Sequence, residues 1–472
     1  MALSYGIASE DARISNVPGA MDRQYSHTED AQPPLAGTDM ADASLTQPSG
    51  PAVKADAAAQ DVAANPEPAE TQAAPAPEVE LLNGHALTAG PTAHDRALAL
   101  VDLAARAAEP NPFLHPAFIT AAAAEHGAEA IVVILAWRGE DRAPAALVGA
   151  FVLQRQRRAT RLWTASLEGR FHDFAFLSTP LIDAACIEPV IETVLDAIVA
   201  SGMPTRLSFA MMGDEYSVMS GLKAVLNRRQ TPLAVSARHR RALARSEDAA
   251  AFTPSASTRK KLRQYRRRLG EKGSVTTTRH ARPSEIADAL EEFLALEASG
   301  WKGRAGTAVL SDPSDTQFTR AVFPSMAETD DVVIEVLRLD GKAAAIQILA
   351  RSGRGYFTWK IAYDEALRDY SPGVLLVEDY TLRLMNDATV AFIDSCSHDD
   401  TGFMASLWKG RQPIADVGFD ARPGEHAGTV LISAVERNLL ALRGRLKSLY
   451  HRYKNGRKAA KNTGGEASEP KT

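Results

Sequence analysis

The most constraining feature of the chain is a punctuated series of segments between Val332 and Ser395. Val332 to Leu339, Ala343 to Arg351 and Gly355 to Tyr363 are rich in aliphatic, β-branched and aromatic residues. The gaps between them hold Asp340-Gly341 and Ser352-Gly353-Arg354. Such gaps are hairpin chemistry, because they supply the positive φ that a tight turn between twisted strands needs. Three strands in an antiparallel meander are predicted. Pro372 to Asn386 then reads as a helix and Val390 to Ser395 as a short buried strand. A helix between two strands predicts a right-handed crossover, with the last strand parallel to the one before the helix.

Upstream of the meander the sequence predicts a basic helix over Ser257 to Glu271, a strand over Ser274 to His280, a helix over Ser284 to Ala298 with Ser284 as its cap, a Gly-rich loop over Gly300 to Thr307, and a helix over Thr316 to Ala327. A looser version of this order comes earlier. Helices are expected near Leu98 and over Phe113 to Glu125. Strands are expected over Ala130 to Trp137, Ala145 to Gln154, Arg161 to Ala165 and Phe174 to Leu177. A helix over Pro189 to Ala200 and a strand over Arg206 to Met211 follow. Ser246 to Ser257 reads as a linker, and Val430 to Tyr453 as a C-terminal helix. The shared order points to duplication and to an α+β chain.

Charge is unevenly distributed. Residues 1–95 hold 14 Asp/Glu against 3 Lys/Arg, with 10 Pro, 22 Ala and two aromatics, Tyr5 and Tyr25. That composition buries too little apolar surface to offset chain entropy, so a disordered tail is expected there. The tail carries −11 of a whole-chain −5, which leaves +6 on residues 96–472. The expected organisation is a tail over 1–95, folded units over 96–245 and 246–457, and a disordered basic tail over 458–472.

Several classes fall away. Two cysteines, Cys186 and Cys396, cannot build a secreted disulfide scaffold, and a cytoplasmic location is expected. No Cys/His spacing suits zinc, so no metal is expected. Met1 to Ala20 lacks the basic start and apolar core of a secretory signal, and Ala143 to Leu153 is too short to span a bilayer. Neither a P-loop nor a dinucleotide glycine fingerprint occurs. Cys396 and His398 lack a third orienting group, which argues against a thiol nucleophile.

The chemistry-bearing stretch runs from Tyr356 to Leu376. A strand ends, a polar loop follows, and a helix opens with Ser371-Pro372-Gly373. Ser371 suits the N-cap, Pro372 the first helical position, and Gly373 a close approach to the backbone. The first-turn amides and helix dipole can then hold a phosphate or diphosphate. The plainer reading is an ordinary strand-to-helix connection with a good cap.

The runs Ser257 to Leu269, Leu296 to Ala308 (LEASGWKGRAGTA), Lys360 to Asp364, Ser371 to Gly373 and Asp394 to Cys396 resemble GNAT-type acetyltransferases of the CelD-like group. Asn111-Pro112-Phe113, Asp173-Phe174 and Thr179-Pro180-Leu181 add to the resemblance, which covers roughly residues 95–430. That group is found beside cellulose and polysaccharide synthesis and is related to Fem-type peptidyltransferases. The resemblance implies tandem GNAT-like domains, each a mixed, mostly antiparallel sheet flanked by helices. It implies an acetyl-CoA or other acyl-CoA donor, and an amine or hydroxyl acceptor on a small molecule, sugar or polysaccharide precursor. The usual Gln/Arg-x-x-Gly-x-Gly/Ala phosphate signature is absent; Arg368 and Gly373 echo it. Two rivals follow: a Fem-like transferase that uses aminoacyl-tRNA, and a non-catalytic accessory protein of polysaccharide synthesis.

On this reading Arg368, Ser371, Pro372, Gly373 and Val374 would hold the donor. Asp364 is a candidate base or a loop-capping residue. Asp394 is a candidate base at a strand end or a turn residue. Lys360, a charge within an apolar strand, either faces a cleft or reaches out to water along its stem. Tyr363 and Tyr370 can protonate a leaving thiolate or simply pack. Trp301, Lys302 and Arg304 suit a sugar or anionic acceptor, or a helix stop. The basic helix carries 8 Lys/Arg and one acid across residues 255–273. It is a solvated face or a surface for an anionic partner: polysaccharide, membrane or RNA. Arg443 to Lys461 invites the same reading toward acidic lipid.

Overall fold

The computed structural model describes residues 76–425, except 141, 157–164, 399 and 401, together with the side chain of residue 251. The expected strand at Arg161 to Ala165, the C-terminal helix at Val430 to Tyr453 and the tail over 458–472 lie outside the described residues, apart from Ala165, which is in no strand.

The strands are β1 (Glu78–Asn83), β2 (Ile131–Trp137), β3 (Leu147–Gln156), β4 (Ser166–Glu168), β5 (Leu181–Ile182), β6 (Arg206–Gly213), β7 (Ala234–Arg245), β8 (Val275–His280), β9 (Val332–Leu339), β10 (Lys342–Ser352), β11 (Gly355–Tyr363), β12 (Phe392–Asp394) and β13 (Gly410–Asp420). The longer helices are α1 (Ala93–Arg106), α2 (Pro116–His126), α3 (Ile187–Ala200), α4 (Ser217–Arg228), α5 (Ala256–Gly270), α6 (Pro283–Ser299), α7 (Pro313–Ala327) and α8 (Pro372–Met385). The meander appears as read: Asp340 and Gly341 both take positive φ (49° and 80°), and β11 pairs parallel with β12 across α8.

All strands join one mixed sheet, ordered β1-β2-β3-β4-β6-β13-β7-β12-β11-β10-β9-β8, with β5 on β3. Each half runs meander, crossover helix, parallel strand, and a last long strand. The last strands are exchanged. β13, from the end of the second half, pairs antiparallel with β6 of the first; β7, from the end of the first, pairs with β12 of the second. β7 and β13 also pair with each other, so the centre of the sheet is shared.

This corrects several expectations. A boundary at residue 245 does not separate two sheets, because β7 ends there while already paired with β12. The tail does not extend to residue 95: Glu78–Asn83 forms a strand that pairs antiparallel with β2, where Glu80 accepts the Trp137 Nε1–H at 3.1 Å. Phe174 to Leu177 is a buried loop rather than a strand, and Ser284 is not a cap, since Arg282 occupies that position before Pro283. Helix α4 and strands β7 and β13 were not read from the sequence. β7 carries four Arg, β13 holds Pro413 and two Gly, and their apolar residues do not alternate cleanly.

The sheet is covered on both faces. One face carries a continuous core from both halves, where Leu100, Leu103, Phe113 and Phe118 meet Phe293, Phe318, Phe323 and Trp359. The other face carries α3 and α4 on the first half and α5 and α8 on the second. The first core forms the seam between the halves. Phe118 sits edge-on to Phe318 at 5.5 Å, so aromatic packing across chain-distant helices joins them.

Candidate functional site

Strand β11 stops pairing with β12 after Phe357 opposite Asp394, while its pairing with β10 continues to Tyr363. From Thr358 onward β11 therefore has a ladder partner on one edge only, and the other edge borders a widening split. Thr358 Oγ1 donates to the Ser395 carbonyl at the base of that split.

The register of β10 on β11 slips inside the same stretch. Leu349 faces Thr358, but Gln347 faces Ile361, so β11 has one residue more than its partner. This is a β-bulge, which re-aims a side chain. Trp359 and Ala362 lie in the seam core, while Ile361 and Tyr363 face α8. The buried Gln347 amide donates to the Lys360 and Ile348 carbonyls, both at 3.0 Å, and so holds the bulge.

The bulge sends Lys360 into the seam with Trp359. Its Nζ lies 4.9 Å from the centroid of the Phe174 ring and 5.6 Å from that of Trp359. It is 3.8 Å from Glu297 Oε1, which also accepts from Lys302 Nζ at 2.9 Å. Glu297 Oε2 accepts the Val309 N–H at 2.8 Å. Burial pushes the Lys360 ammonium down to about 8; Glu297 pulls the other way. Burial works to raise Glu297, but Lys302, Lys360 and the Val309 amide outweigh it and hold this carboxyl below its ordinary value. Burial and neighbouring Asp312 lift Asp315 to about 6, against the pull of Lys360. Lysine and carboxylate pKa values displaced toward neutrality are an acid–base resource.

At the end of β11, Asp364 Oδ1 accepts the Ala366 N–H and caps a 3-10 turn over Glu365–Tyr370. Of its two readings, the structure shows the loop cap. Glu365 pins the neighbouring segment, accepting the Trp301 N–H and pairing with Arg304. Trp301, Lys302 and Arg304 form a short helical turn over Trp301–Arg304 rather than an open loop. The structure thus brings Trp301, Lys302, Arg304, Lys360, Asp364 and Arg368 to one corner.

Ser371 enters α8 with φ 50° and ψ 53°, the left-handed region, and its side chain makes no capping bond. It therefore does the backbone work of glycine rather than of a cap. Arg368 and Gly373 thus keep two positions of the Arg-x-x-Gly-x-Gly pattern, with Ser371 in left-handed backbone where that pattern has its first glycine. A Cβ on Gly373 would meet only Ile361 Cδ1 within 4 Å, at 3.4 Å, so the backbone there has room for a methyl group, although Ser371, Pro372 and Gly373 are all buried. The amide supply is thin: Pro372 has no N–H, and the Val374 and Leu375 amides both reach the Ser371 carbonyl. Cationic charge adds to it, since Arg268 lies 5.2 Å over the Tyr370 ring.

Asp394 does not join the corner. It is fully buried, paired with Arg241 at 2.6 Å and accepting the Cys396 N–H at 2.8 Å. Arg241 also donates to the Phe176 carbonyl. This pair ties β7 to β12 and leaves no room for a base facing substrate. Cys396 is buried, and burial raises its thiol well above the ordinary value, which rules against a nucleophile.

Glu125, His126 and His172 bring ligand atoms within 4.8 Å of one another. His172 Nδ1 accepts the Phe174 N–H at 3.0 Å, so Nε2 keeps the proton and donates to Glu125 Oε2 at 3.0 Å. A neutral ring in that state offers no lone pair to a cation.

Sequence reading missed Glu297, Glu365 and Asp315 as site residues. Glu297 had a signal: it continues the apolar face of Leu290, Phe293 and Leu294 in α6, as Lys360 interrupts an apolar strand.

Residues 256–399 match the family model described as "Acetyltransferase (GNAT) domain". Over that stretch the chain is similar to acyltransferase domains of the GNAT type. No curated protein matches the chain in sequence. Similar solved structures include FemX (10% identity, TM-score 0.45, covering 73% of this chain and 97% of that one). Others are L-PGS from Bacillus licheniformis (12%, 0.35, covering 61% and 86%) and a tandem GNAT protein from the clavulanic acid biosynthesis pathway (14%, 0.35, covering 74% and 100%). At these identities and scores they are distant likenesses and carry no information on substrate.

Proposed function

We propose that the chain transfers an acyl group from an acyl-CoA, such as acetyl-CoA, to an amine or hydroxyl of a saccharide acceptor at the free edge of β11. The observation that carries this is the corner itself: a strand edge released from its neighbour after Phe357, followed by a turn with Arg368 exposed and Ser371 in the left-handed region. The extended, amide-bearing arm of the donor matches an unpaired strand edge, and its diphosphate matches Arg368, Arg268 and the turn over Ser371, Pro372, Gly373 and Val374.

Attack on the thioester carbonyl requires removal of the acceptor's proton and a proton for the departing thiolate. Lys360 takes the first role, since a lysine near 8 is substantially neutral in mild alkali. Tyr363, at the end of the same strand, supplies the second. Asp364 shapes the loop, and Asp394 acts only through the fold. Trp301, Lys302 and Arg304 line the acceptor side, where a flat ring and fixed cations suit a sugar.

Thermal shift with acetyl-CoA and longer acyl-CoAs tests the donor. Stabilisation that Arg368→Ala, at an exposed position, weakens is the expected result. No shift with any acyl-CoA, together with a shift on aminoacyl-tRNA, overturns this reading in favour of tRNA-dependent transfer. Among the described residues no helix is long and apolar enough to cross a membrane.

A further inference from the structure

Helix α5 is the most cationic surface element described, and the proposed chemistry leaves most of it unused. Leu262 and Leu269 are buried and Tyr265 half-buried, so one narrow face docks on the domain. The remaining arc carries Arg259, Lys260, Lys261, Arg263, Arg266, Arg267 and Arg268. Among the described residues, ion pairs occupy only two of these: Arg266 with Glu378 and Asp379 of α8, and Arg267 with Glu271. Arg259, Lys260 and Arg263 are exposed and lie on the outward side. Like charges at helical spacing repel by a few tenths of a kcal/mol per pair, so this arrangement costs stability unless a partner supplies negative charge.

The arc is convex and bears no outward aromatic. Tyr265 is in the docked face, and Tyr370 lies under Arg268. Nucleic-acid surfaces that grip a strand without sequence preference use stacking rings in a groove, and this surface has neither among the described residues. A broad, convex cationic arc meets instead a flat sheet of anionic headgroups, to which each basic side chain is attracted separately. The helix also adjoins the transfer corner, because Arg268 covers the residue next to Ser371.

We propose that α5 is the face by which the protein docks on anionic membrane surfaces, presenting the corner at Gly373 to the headgroup layer. The proposal concerns binding and holds whether or not the donor is an acyl-CoA.

The test is co-sedimentation of the full chain with vesicles of phosphatidylcholine alone and with about 30 mol% phosphatidylglycerol, whose negative surface potential attracts basic segments. Retention on the anionic vesicles only, lost near 0.5 M salt, where the screening length falls to roughly 4 Å, is expected. Replacing Arg259, Lys260 and Arg263 by Gln leaves the contacts of Arg266 and Arg268 intact. It should weaken binding roughly 100-fold, at about a factor of five per charge. The same change at Arg138, Arg240 and Lys342, exposed elsewhere, should leave it within about twofold. No retention on anionic vesicles, equal retention on neutral ones, or an unchanged triple variant of native melting temperature overturns the proposal. So does an RNA duplex that competes the vesicles off with the same dependence on α5, which would assign the face to nucleic acid.

Discussion

The two halves place the same junction, the split after a parallel strand pair, in opposite states. In the first half β4 pairs with β6 over Leu167 and Glu168, and the chain then turns back into the seam, burying Phe171, Phe174 and Phe176. A Cβ on Gly169, at that split, would lie 2.4 Å from the Phe209 ring. In the second half β11 continues as a free edge, and a Cβ on Gly373 has nothing nearer than 3.4 Å. One junction is filled by its own chain, and the other leaves room for a Cβ at a buried glycine. The filled one is not inert: its loop brings Phe174 to Lys360 and the Phe176 carbonyl to Arg241, so one copy furnishes a wall for the other.

Breaking the shared centre should have the largest effect. Asp394→Ala leaves Arg241 buried without its carboxylate and should cost about 3–5 kcal/mol, read as a lowered urea midpoint. Replacing both partners with apolar residues should recover most of that. The halves exchange their last strands, so one cooperative transition is expected; two separate transitions would show that they fold independently.

Next come the two glycines. Gly169→Ala forces the Phe209 ring aside and should cost about 1–3 kcal/mol, as overpacking does, without changing ligand response. Gly373→Ala should leave stability nearly unchanged, since its Cβ meets only Ile361 Cδ1 at 3.4 Å, while Arg368→Ala, at an exposed position, should weaken stabilisation by acyl-CoA without loss of stability. If both glycine variants lose stability alike, the contrast between the two junctions fails.

Lys360 gives a pH signature. Its folded value near 8 lies below the free value of 10.5, so between these the unfolded chain binds more protons and stability rises with pH. The cost of holding the ammonium is fully present below about 8. The difference between wild type and Lys360→Met should therefore change by on the order of 1–2 kcal/mol from pH 7 to 10, monitored by chemical denaturation. Activity should rise through pH 8 in the wild type and be lost in Lys360→Met. An activity profile without that inflection would remove Lys360 as the base.

The smallest effect is at Ser371. A non-glycine residue in the left-handed region is strained, so Ser371→Gly should gain about 0.5–1 kcal/mol after the added chain entropy of glycine. Ser371→Val should lose stability, because a β-branched side chain is poorly accommodated there.

Much of the second half was legible because its signals are local. Asp340-Gly341 can only be a tight turn between strands of matched length, and Pro372 opens a helix where a helix was read. The first half was legible in its central strands, β2 and β3, whose apolar runs are fully buried. It was illegible in β7, where Arg238 and Arg240 face solvent and Arg241 is buried. Among site residues, Lys360 and the Arg368-to-Gly373 turn were marked by misfit, a charge in an apolar run and a breaker pair before a helix. Asp394 looked equally suited at a strand end, yet its partner Arg241 stands 153 positions earlier.

By itself, then, the sequence determined the central strands and most of the long helices, where the turns of the second meander fall, and that a proline-opened helix follows β11. Those are set by backbone sterics and by side-chain periodicity within a few residues. Tertiary structure alone decided that the last strands trade places, that a bulge swings Lys360 into the seam beside Glu297, and that Asp394 is tied up while β11 leaves β12 after Phe357. Each of these depends on contacts between residues far apart in the chain, where pairing register and burial, not local propensity, fix the energy.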